Sequence, residues 1–424
     1  MQASNSKLTL DGRLLFATRM VRLFAYGLLS VVLGLYLIEV GLSEREAGAV
    51  LSLTLLGDAG ISLWLTTHAD QLGRRKMLLV GAGLMLLAGV VFAVTRSLPV
   101  LILAAIIGTI SPSGNEVGPF LSIEQASLSQ LIPDKARTRI FAWYNLVGSI
   151  ATASGALVGG GLASGLHSGG MSELNSYRAN LLIYAGLAVV LMGLFSRMSG
   201  AIEAPPRAAV VNRLGLHQSQ RVVFKLSGLF ALDAFGGGLV VQSLVAYWFH
   251  VRFGTESAKL GAIFFGANLL AGLSYLAAAR LAGRFGLINT MVFSHIPSNM
   301  LLMLVPLMPN ETLAIAVLLV RFAISQMDVP TRQSYVMAVV DPSERSAAAG
   351  VTAIARSVGS AASPLITGVL LQASLLAAPF LLAGSLKIGY DLALYRGFQK
   401  IRPPEEQMNP KAAESKSLKG STAS

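Results

Sequence analysis

Long apolar runs alternate with short polar segments along the whole chain. Each run is close to the ~20 residues that a spanning helix needs. The twelve runs occupy residues 14–41, 46–67, 76–95, 99–131, 139–165, 177–197, 222–250, 258–281, 288–308, 312–340, 347–371 and 374–395. They do not alternate apolar and polar residues with a period of two, which argues against a β-barrel. The pattern predicts an all-α integral membrane protein with twelve transmembrane helices.

A polar stretch at 198–221 separates the first six runs from the last six. It predicts a cytoplasmic linker between an N-terminal half, 1–197, and a C-terminal half, 222–396. The tail at 397–424 is rich in Lys, Ser, Ala and Glu and is predicted to be disordered. The two halves therefore form separate six-helix domains.

The halves also carry a weak internal repeat. Leu-Phe-Ala at 23–25 recurs at 229–231, and Val-Gly-Ser at 147–149 recurs at 358–360. These matches keep the same order at an offset of about half the chain, which favours two related halves.

Composition and charge support this prediction. The chain of 424 residues is 54% hydrophobic and only 13% charged, about half the charge of a soluble domain. The net charge is +12, and the basic residues lie mostly in alternate loops, as expected if these loops are cytoplasmic. This distribution argues against nucleic-acid binding. The loops that are rich in basic residues contain Arg74, Arg75, Lys76, Lys135, Arg137, Arg139, Arg207, Arg213, Arg221, Arg280, Arg284, Arg345, Arg396, Lys400 and Arg402. The loops with few basic residues contain Arg45, Arg96, Arg178, Arg252 and Lys259. Both termini are predicted to be cytoplasmic, in a plasma or inner membrane.

Several chemistries find no support in the residues. The chain has no cysteine, and its five histidines show no metal-ligand spacing. No Gly-Lys dipeptide occurs, so a Walker loop is absent. We expect no metal, no cofactor and no enzymatic activity.

The segment Ala-Asp-Gln-Leu-Gly-Arg-Arg-Lys at 69–76 resembles the loop signature of the major facilitator superfamily, although Thr66 and Gln71 depart from its pattern. The resemblance implies a monomer with two six-helix bundles around a cavity that opens alternately to each side. It also implies that Asp70, Gly73, Arg74 and Arg75 form a latch that holds the halves in the outward-facing state. In the alternative reading, the basic residues only set the topology.

Five of the acidic residues inside the apolar runs are candidates for a function, because a charge at membrane depth costs about 2.5–3.5 kcal/mol on insertion scales and usually has a role. They are Asp58, Glu116, Glu124, Asp233 and Asp328. Asp58 and Asp233 have no basic neighbour in sequence, and a low dielectric favours the protonated acid. We expect Asp233, or else Asp58 or Glu116, to carry a coupling proton. The alternatives are a salt bridge to Arg19, Arg22 or Arg356, or a hydrogen bond to a neighbouring backbone.

The fourth run contains the breakers Pro112, Gly114 and Pro119, which predict an interrupted helix around Glu116. In the fifth run, Gly155 and Gly159 share one helix face and predict close packing against a neighbouring backbone.

The tenth run holds Arg321, Asp328, Pro330 and Arg332. Asp328 and Arg332 are four residues apart and can share a face, although Pro330 disturbs that geometry. The repeat places Glu124 and Arg332 at matching positions, so we expect them to pair across the bundle. These charges either set the helix register or handle substrate and protons.

The sequence thus predicts a secondary active transporter of a small solute, coupled to protons. The charge of the solute stays open, since the arginines can hold an anion and the acids a cation. A facilitative uniporter and a non-transporting receptor or scaffold remain alternatives. A channel is disfavoured, because a glycine-rich bundle of two halves suits a rocking motion better than a fixed pore.

Overall fold

The computed structural model describes residues 8–116, 118–132, 134–203, 218–341 and 344–399. Most of the predicted linker, 204–217, and the tail from 400 onward lie outside the described residues. The described part of the chain contains α-helices and short 3-10 turns but no strand. Its α-helices are α1 (Leu10–Glu39), α2 (Glu44–Leu72), α3 (Arg74–Val94), α4 (Leu98–Ile107), α5 (Phe120–Leu131), α6 (Asp134–Ser168), α7 (Glu173–Ser196), α8 (Gln220–Gly238), α9 (Gln242–Phe253), α10 (Ser257–Phe285), α11 (Leu287–Leu304), α12 (Glu311–Ser325), α13 (Asp328–Val339), α14 (Arg345–Gln372) and α15 (Ala378–Phe398).

Ten segments of the described residues are long and apolar enough to cross a membrane, and α4 is a shorter apolar helix. With α4 and α5 as one interrupted span and α15 as the last, the helices match the twelve predicted runs. The all-α, twelve-helix prediction is therefore confirmed.

Three predicted runs form two helices each. The fourth divides into α4 and α5 and the tenth into α12 and α13, while the seventh divides into α8 and α9. In the fourth, Gly114 and Gly118 adopt positive φ angles of 70° and 81°, which glycine accepts without strain. The predicted interruption is confirmed. Pro330 lies in the first turn of α13, where its missing N–H costs no helical hydrogen bond.

Glycines bring α1 and α6 into backbone contact within the first half. A Cβ on Gly155 would lie 2.0 Å from the Phe24 carbonyl oxygen, and one on Gly159 would lie 2.2 Å from that of Leu28. The predicted packing face is confirmed. The second half repeats this contact between α8 and α14, where a Cβ on Gly359 would lie 2.4 Å from the Ala231 carbonyl oxygen.

The two halves meet mainly through α2 against α14 and α6 against α10. We call the side where α1 begins the terminal side and the opposite side the far side. Toward the far side, a Cβ on Gly368 would lie 2.3 Å from the Glu44 carbonyl oxygen, and Tyr247 donates a hydrogen bond to Glu44 at 2.9 Å. Toward the terminal side, Gly60 of α2 and Gly350 of α14 have nothing within 4 Å of a built Cβ. The halves are closed on the far side and separate toward the terminal side.

Candidate functional site

A buried ion cluster lies at mid-depth in each half, and both clusters adjoin the interrupted helices. The first-half cluster consists of Arg19 and Arg22 of α1, Glu116 in the α4–α5 interruption, and Glu124 of α5. The second-half cluster consists of Asp233 of α8, Asp328 and Arg332 of α13, Arg356 of α14 and Lys387 of α15.

Arg22 and Glu124 form the centre of the first-half cluster, and both side chains have 0% exposure. Arg22 donates to the two Glu124 oxygens at 2.7 and 2.8 Å, a bidentate geometry that is among the strongest in proteins. Thr18 donates to the same carboxylate at 2.8 Å, and the Tyr144 hydroxyl donates to it as well. Glu124 is therefore saturated with donors.

Glu116 is less completely paired. Its Oε1 accepts from Arg22 at 2.5 Å and from Arg19 at 3.2 Å, and its side chain is 16% exposed. Arg19 also donates to Asn145 at 3.2 Å and stacks 4.3 Å from the Tyr144 ring centre. The Oε2 atom of Glu116 and the Nε atom of Arg19 are buried without a hydrogen-bond partner, so this pair keeps unused polar capacity.

Asp233 joins four helices in the second-half cluster. Its Oδ1 accepts from Lys387 at 2.6 Å, and its Oδ2 accepts from Arg356 at 3.0 Å and Arg332 at 3.3 Å. Arg332 also donates to Asp328 at 2.7 Å, so the expectation that these two share a face is confirmed. Asp233 has a basic partner in Arg356, the alternative left open by the sequence, and its cationic neighbours stabilise the carboxylate form.

The expected pair of Glu124 and Arg332 is wrong. Each residue is neutralised within its own half, Glu124 by Arg22 and Arg332 by Asp328 and Asp233. The repeat does place an acid and a base at matching positions. The first helix of each half, however, supplies the complementary charge nearby, so neither charge needs a partner across the bundle.

Asp58 and Arg321 have no oppositely charged partner among the described residues. Asp58 of α2 accepts only a long hydrogen bond, 3.4 Å, from Ser62 and one from the Gly118 amide. Arg321 of α12 contacts the Phe322 ring at 4.9 Å, and its Nε is buried without a partner. The structure places both outside the two clusters.

A profile of the Major Facilitator Superfamily matches residues 15–364. This chain belongs to the major facilitator superfamily. The membrane protein YJR124C of Saccharomyces cerevisiae is 33% identical over 416 residues, which cover 91% of this chain and 93% of that protein.

Solved superfamily structures share the fold. The nucleoside transporter NupG matches with a TM-score of 0.73 at 14% identity, covering 92% of this chain and all of NupG. A bacterial homolog of the human lysosomal transporter Spinster, inward-facing and occupied, matches with a TM-score of 0.68 at 14% identity, covering 92% of this chain and 97% of that one. This superfamily member is thus a multi-pass membrane protein of a transporter family.

The superfamily loop signature makes contacts within the first half. Arg74 donates to Asp70 at 2.8 Å and to Gln130 and the Ile202 carbonyl, both at 3.1 Å. Glu203 accepts from the backbone amides of Arg74 and Arg75 at 2.6 and 3.3 Å. Gly73 has φ of 103°, which explains the glycine at this tight turn. The Asp70 side chain is 60% exposed, and the four residues expected to form a latch lie at the junction of α2 and α3 on the terminal side.

Three members of the polar interior were not predicted from the sequence: Lys387, Asp391 and His295. His295 Nδ1 lies 2.9 Å from Asp391 Oδ1, and its Nε2 lies 3.8 Å from Asp233 Oδ1. Asn299 donates to Asp391 at 3.2 Å. Lys387 and Asp391 lie inside the apolar run 374–395, so the criterion that selected the other acids also applies to Asp391.

Proposed function

We propose that this protein is a secondary active transporter that moves a small polar solute by alternating access. The observation that carries the proposal is the pair of buried ion clusters beside an opening on one side only. Buried charges at membrane depth are costly, and clusters of this kind at the junction of two related halves suit a central binding site.

The distribution of basic residues favours a cytoplasmic terminal side. With that orientation, the structure corresponds to an inward-facing state in a plasma or inner membrane. The separation of the latch residues from the second half fits the same state, since the latch is proposed to hold the outward-facing one. A monomer suffices for this mechanism, because one chain supplies both halves.

We further propose that transport is coupled to protons and that Asp58 carries the proton. Asp233 is held as a carboxylate by its basic neighbours, so its protonation would leave Lys387 and Arg356 without their counter-charge. Asp58 has no such neighbour in the described structure, and a buried carboxyl group without a cation binds a proton more readily. Glu116, with one oxygen unpaired, is the second candidate.

The test uses purified protein in proteoliposomes that contain a pH-sensitive dye. A thermal-shift screen of metabolites and drugs first selects ligands that bind. We expect addition of a bound ligand to move protons across the membrane, and an imposed pH gradient to change the rate of ligand flux. A flux that ignores the gradient would indicate a uniporter, and binding without any flux would indicate a receptor.

A further inference from the structure

We propose that the second-half cluster binds an anionic group of the transported solute and that Arg356 is the residue that holds it. This inference rests on the proposed transport function and adds the chemical class of the substrate. The matching group is a carboxylate, phosphate or sulfonate, which a guanidinium binds through paired hydrogen bonds.

The charge balance around Asp233 is the first argument. His295 lies between two carboxylates, with Nδ1 facing Asp391 at 2.9 Å and Nε2 facing Asp233 at 3.8 Å. Asp391 lies next to the second-half cluster and is hydrogen bonded to His295 and Asn299. Within the cluster three cations face two carboxylates: Arg332, Arg356 and Lys387 against Asp233 and Asp328. The cluster lacks one negative charge.

Arg356 is the cation with the weakest pairing. Arg332 has Asp328 at 2.7 Å, and Lys387 has Asp233 Oδ1 at 2.6 Å. Arg356 makes one hydrogen bond, at 3.0 Å, to the Oδ2 atom that Arg332 also contacts. Its side chain is 34% exposed, whereas those of Arg332 and Lys387 are 8% and 9% exposed. Most of its five N–H donors are therefore free for a ligand.

The position of Arg356 makes it accessible from the open side. It lies on the face of α14 that packs against α8, where Ser363 donates to the Phe235 carbonyl. The tight contact with α2 at Gly368 comes further along α14, toward the far side. Arg356 thus lies nearer the terminal side than this contact, and its side chain remains 34% exposed.

A second buried arginine lies near the same space from the opposite half. The Tyr275 hydroxyl is within electrostatic range of both Arg19 and Arg332. Arg19 is 7% exposed, and its Nε has no hydrogen-bond partner. A cation of the first half therefore lies near the second-half cluster.

Asp233 contacts Arg356 as a ligand carboxylate would. An incoming anion would replace the Asp233 carboxylate at Arg356, and Asp233 would keep Lys387. Removing the Asp233 charge should then strengthen anion binding, because a competitor is lost. If the substrate were a cation held by Asp233, the same change would abolish binding.

The experiment measures thermal unfolding of the purified full chain at constant ionic strength. The probes are sulfate, inorganic phosphate and a series of mono- and dicarboxylates, compared with tetraalkylammonium salts and neutral sugars. We expect stabilisation by anions only. Arg356→Gln should weaken binding of the best anion by roughly 10- to 100-fold, the equivalent of one charge-assisted contact. Arg356→Lys should retain part of the affinity for this anion, and the control variant Arg252→Gln on the far side should retain the wild-type affinity.

Asp233→Asn should tighten anion binding. If this variant folds poorly, the double variant Asp233→Asn with Lys387→Gln replaces it, because it keeps the charge balance of the cluster. The proposal would be overturned if cations or sugars stabilised the protein, or if none of the anions did. It would also be overturned if Arg321→Gln, instead of Arg356→Gln, caused the loss of anion binding. Anion binding without flux in proteoliposomes would instead leave this site standing and reject the transport function.

Discussion

The two buried clusters are related by the internal repeat but differ in charge order and in completeness. The first half has its bases on α1 and its acids on the interrupted span, while the second half has an acid on α8 and a base, Arg332, on its interrupted span. Arg22 and Glu124 are fully buried and joined by two hydrogen bonds, and the two bases of the first-half cluster face two acids. Asp233 instead serves three bases, of which Arg356 is partly exposed. A buried cluster with equal numbers of acids and bases suits a structural role, whereas a carboxylate shared among three bases leaves capacity for a ligand.

The largest effect is expected from breaking the pair of Arg22 and Glu124. Arg22→Gln leaves the buried Glu124 without a cation, and Glu124→Gln leaves Arg22 with Glu116 alone. Each change should destabilise the protein, Arg22→Gln by about 3–5 kcal/mol and Glu124→Gln by less. The double variant should recover part of that loss. Thermal unfolding of the four proteins in detergent measures the cycle. Glu124→Gln combined with Arg332→Gln is the control and should be additive; strong coupling in that control would contradict the pairing within each half.

The second prediction concerns Asp58, the acid of the first half that belongs to no pair. Asp58→Asn should abolish gradient-driven accumulation but keep exchange at equal concentrations on both sides, since exchange needs no net proton movement. Glu173→Gln, an exposed acid on the far side, is the matched control and should behave as wild type. Radiolabelled uptake and exchange in proteoliposomes measure both activities. Equal loss of accumulation and exchange would make Asp58 a binding or folding residue.

The third prediction contrasts the closed and the open side of α14. Gly368→Val places side-chain atoms against the Glu44 backbone and should shift the protein toward a state opened on the far side. Gly350→Val, on the same helix with nothing nearby, should not. The chain has no cysteine, so pairs of introduced cysteines can carry spin labels that report distances across each side. Unchanged far-side distances in Gly368→Val would mean that this contact does not control closure.

The smallest effect on stability is expected from the loop at 69–76. Asp70→Asn removes an exposed ion pair with Arg74, which should cost less than about 1 kcal/mol. It should nevertheless slow transport, because the latch residues are proposed to join the halves in the outward-facing state. Uptake is compared at equal membrane expression. Asp11→Asn is not a suitable control, because Asp11 accepts hydrogen bonds from Ser199. A wild-type rate for Asp70→Asn would reject the latch role.

Local chemistry explains which parts of the site the sequence predicted. The interruption of the fourth run follows from Pro112, Gly114 and Pro119, whose backbone preferences act within a few residues. The contact of Gly155 and Gly159 follows from their spacing on one helix. The pair of Asp328 and Arg332 follows from the same rule, since residues four apart lie on one face. Each of these features depends on one segment only.

The partners across helices could not be predicted in this way. Whether Glu124 meets Arg22 or Arg332 depends on the rotation and depth of three helices, and sequence spacing contains neither quantity. The same applies to Asp233, whose three bases come from α13, α14 and α15, and to His295 and Asp391 on α11 and α15.

The sequence by itself determined the membrane class and the twelve spans, because the length of the apolar runs reflects the thickness of the bilayer. The loop signature at 69–76 pointed to the superfamily. Five acids and two arginines inside the runs were identified as charges that need an explanation. Only the tertiary structure decided how those charges are paired and on which side the halves are closed. Packing sets these features, because a buried charge takes the nearest complementary group that the neighbouring helices present.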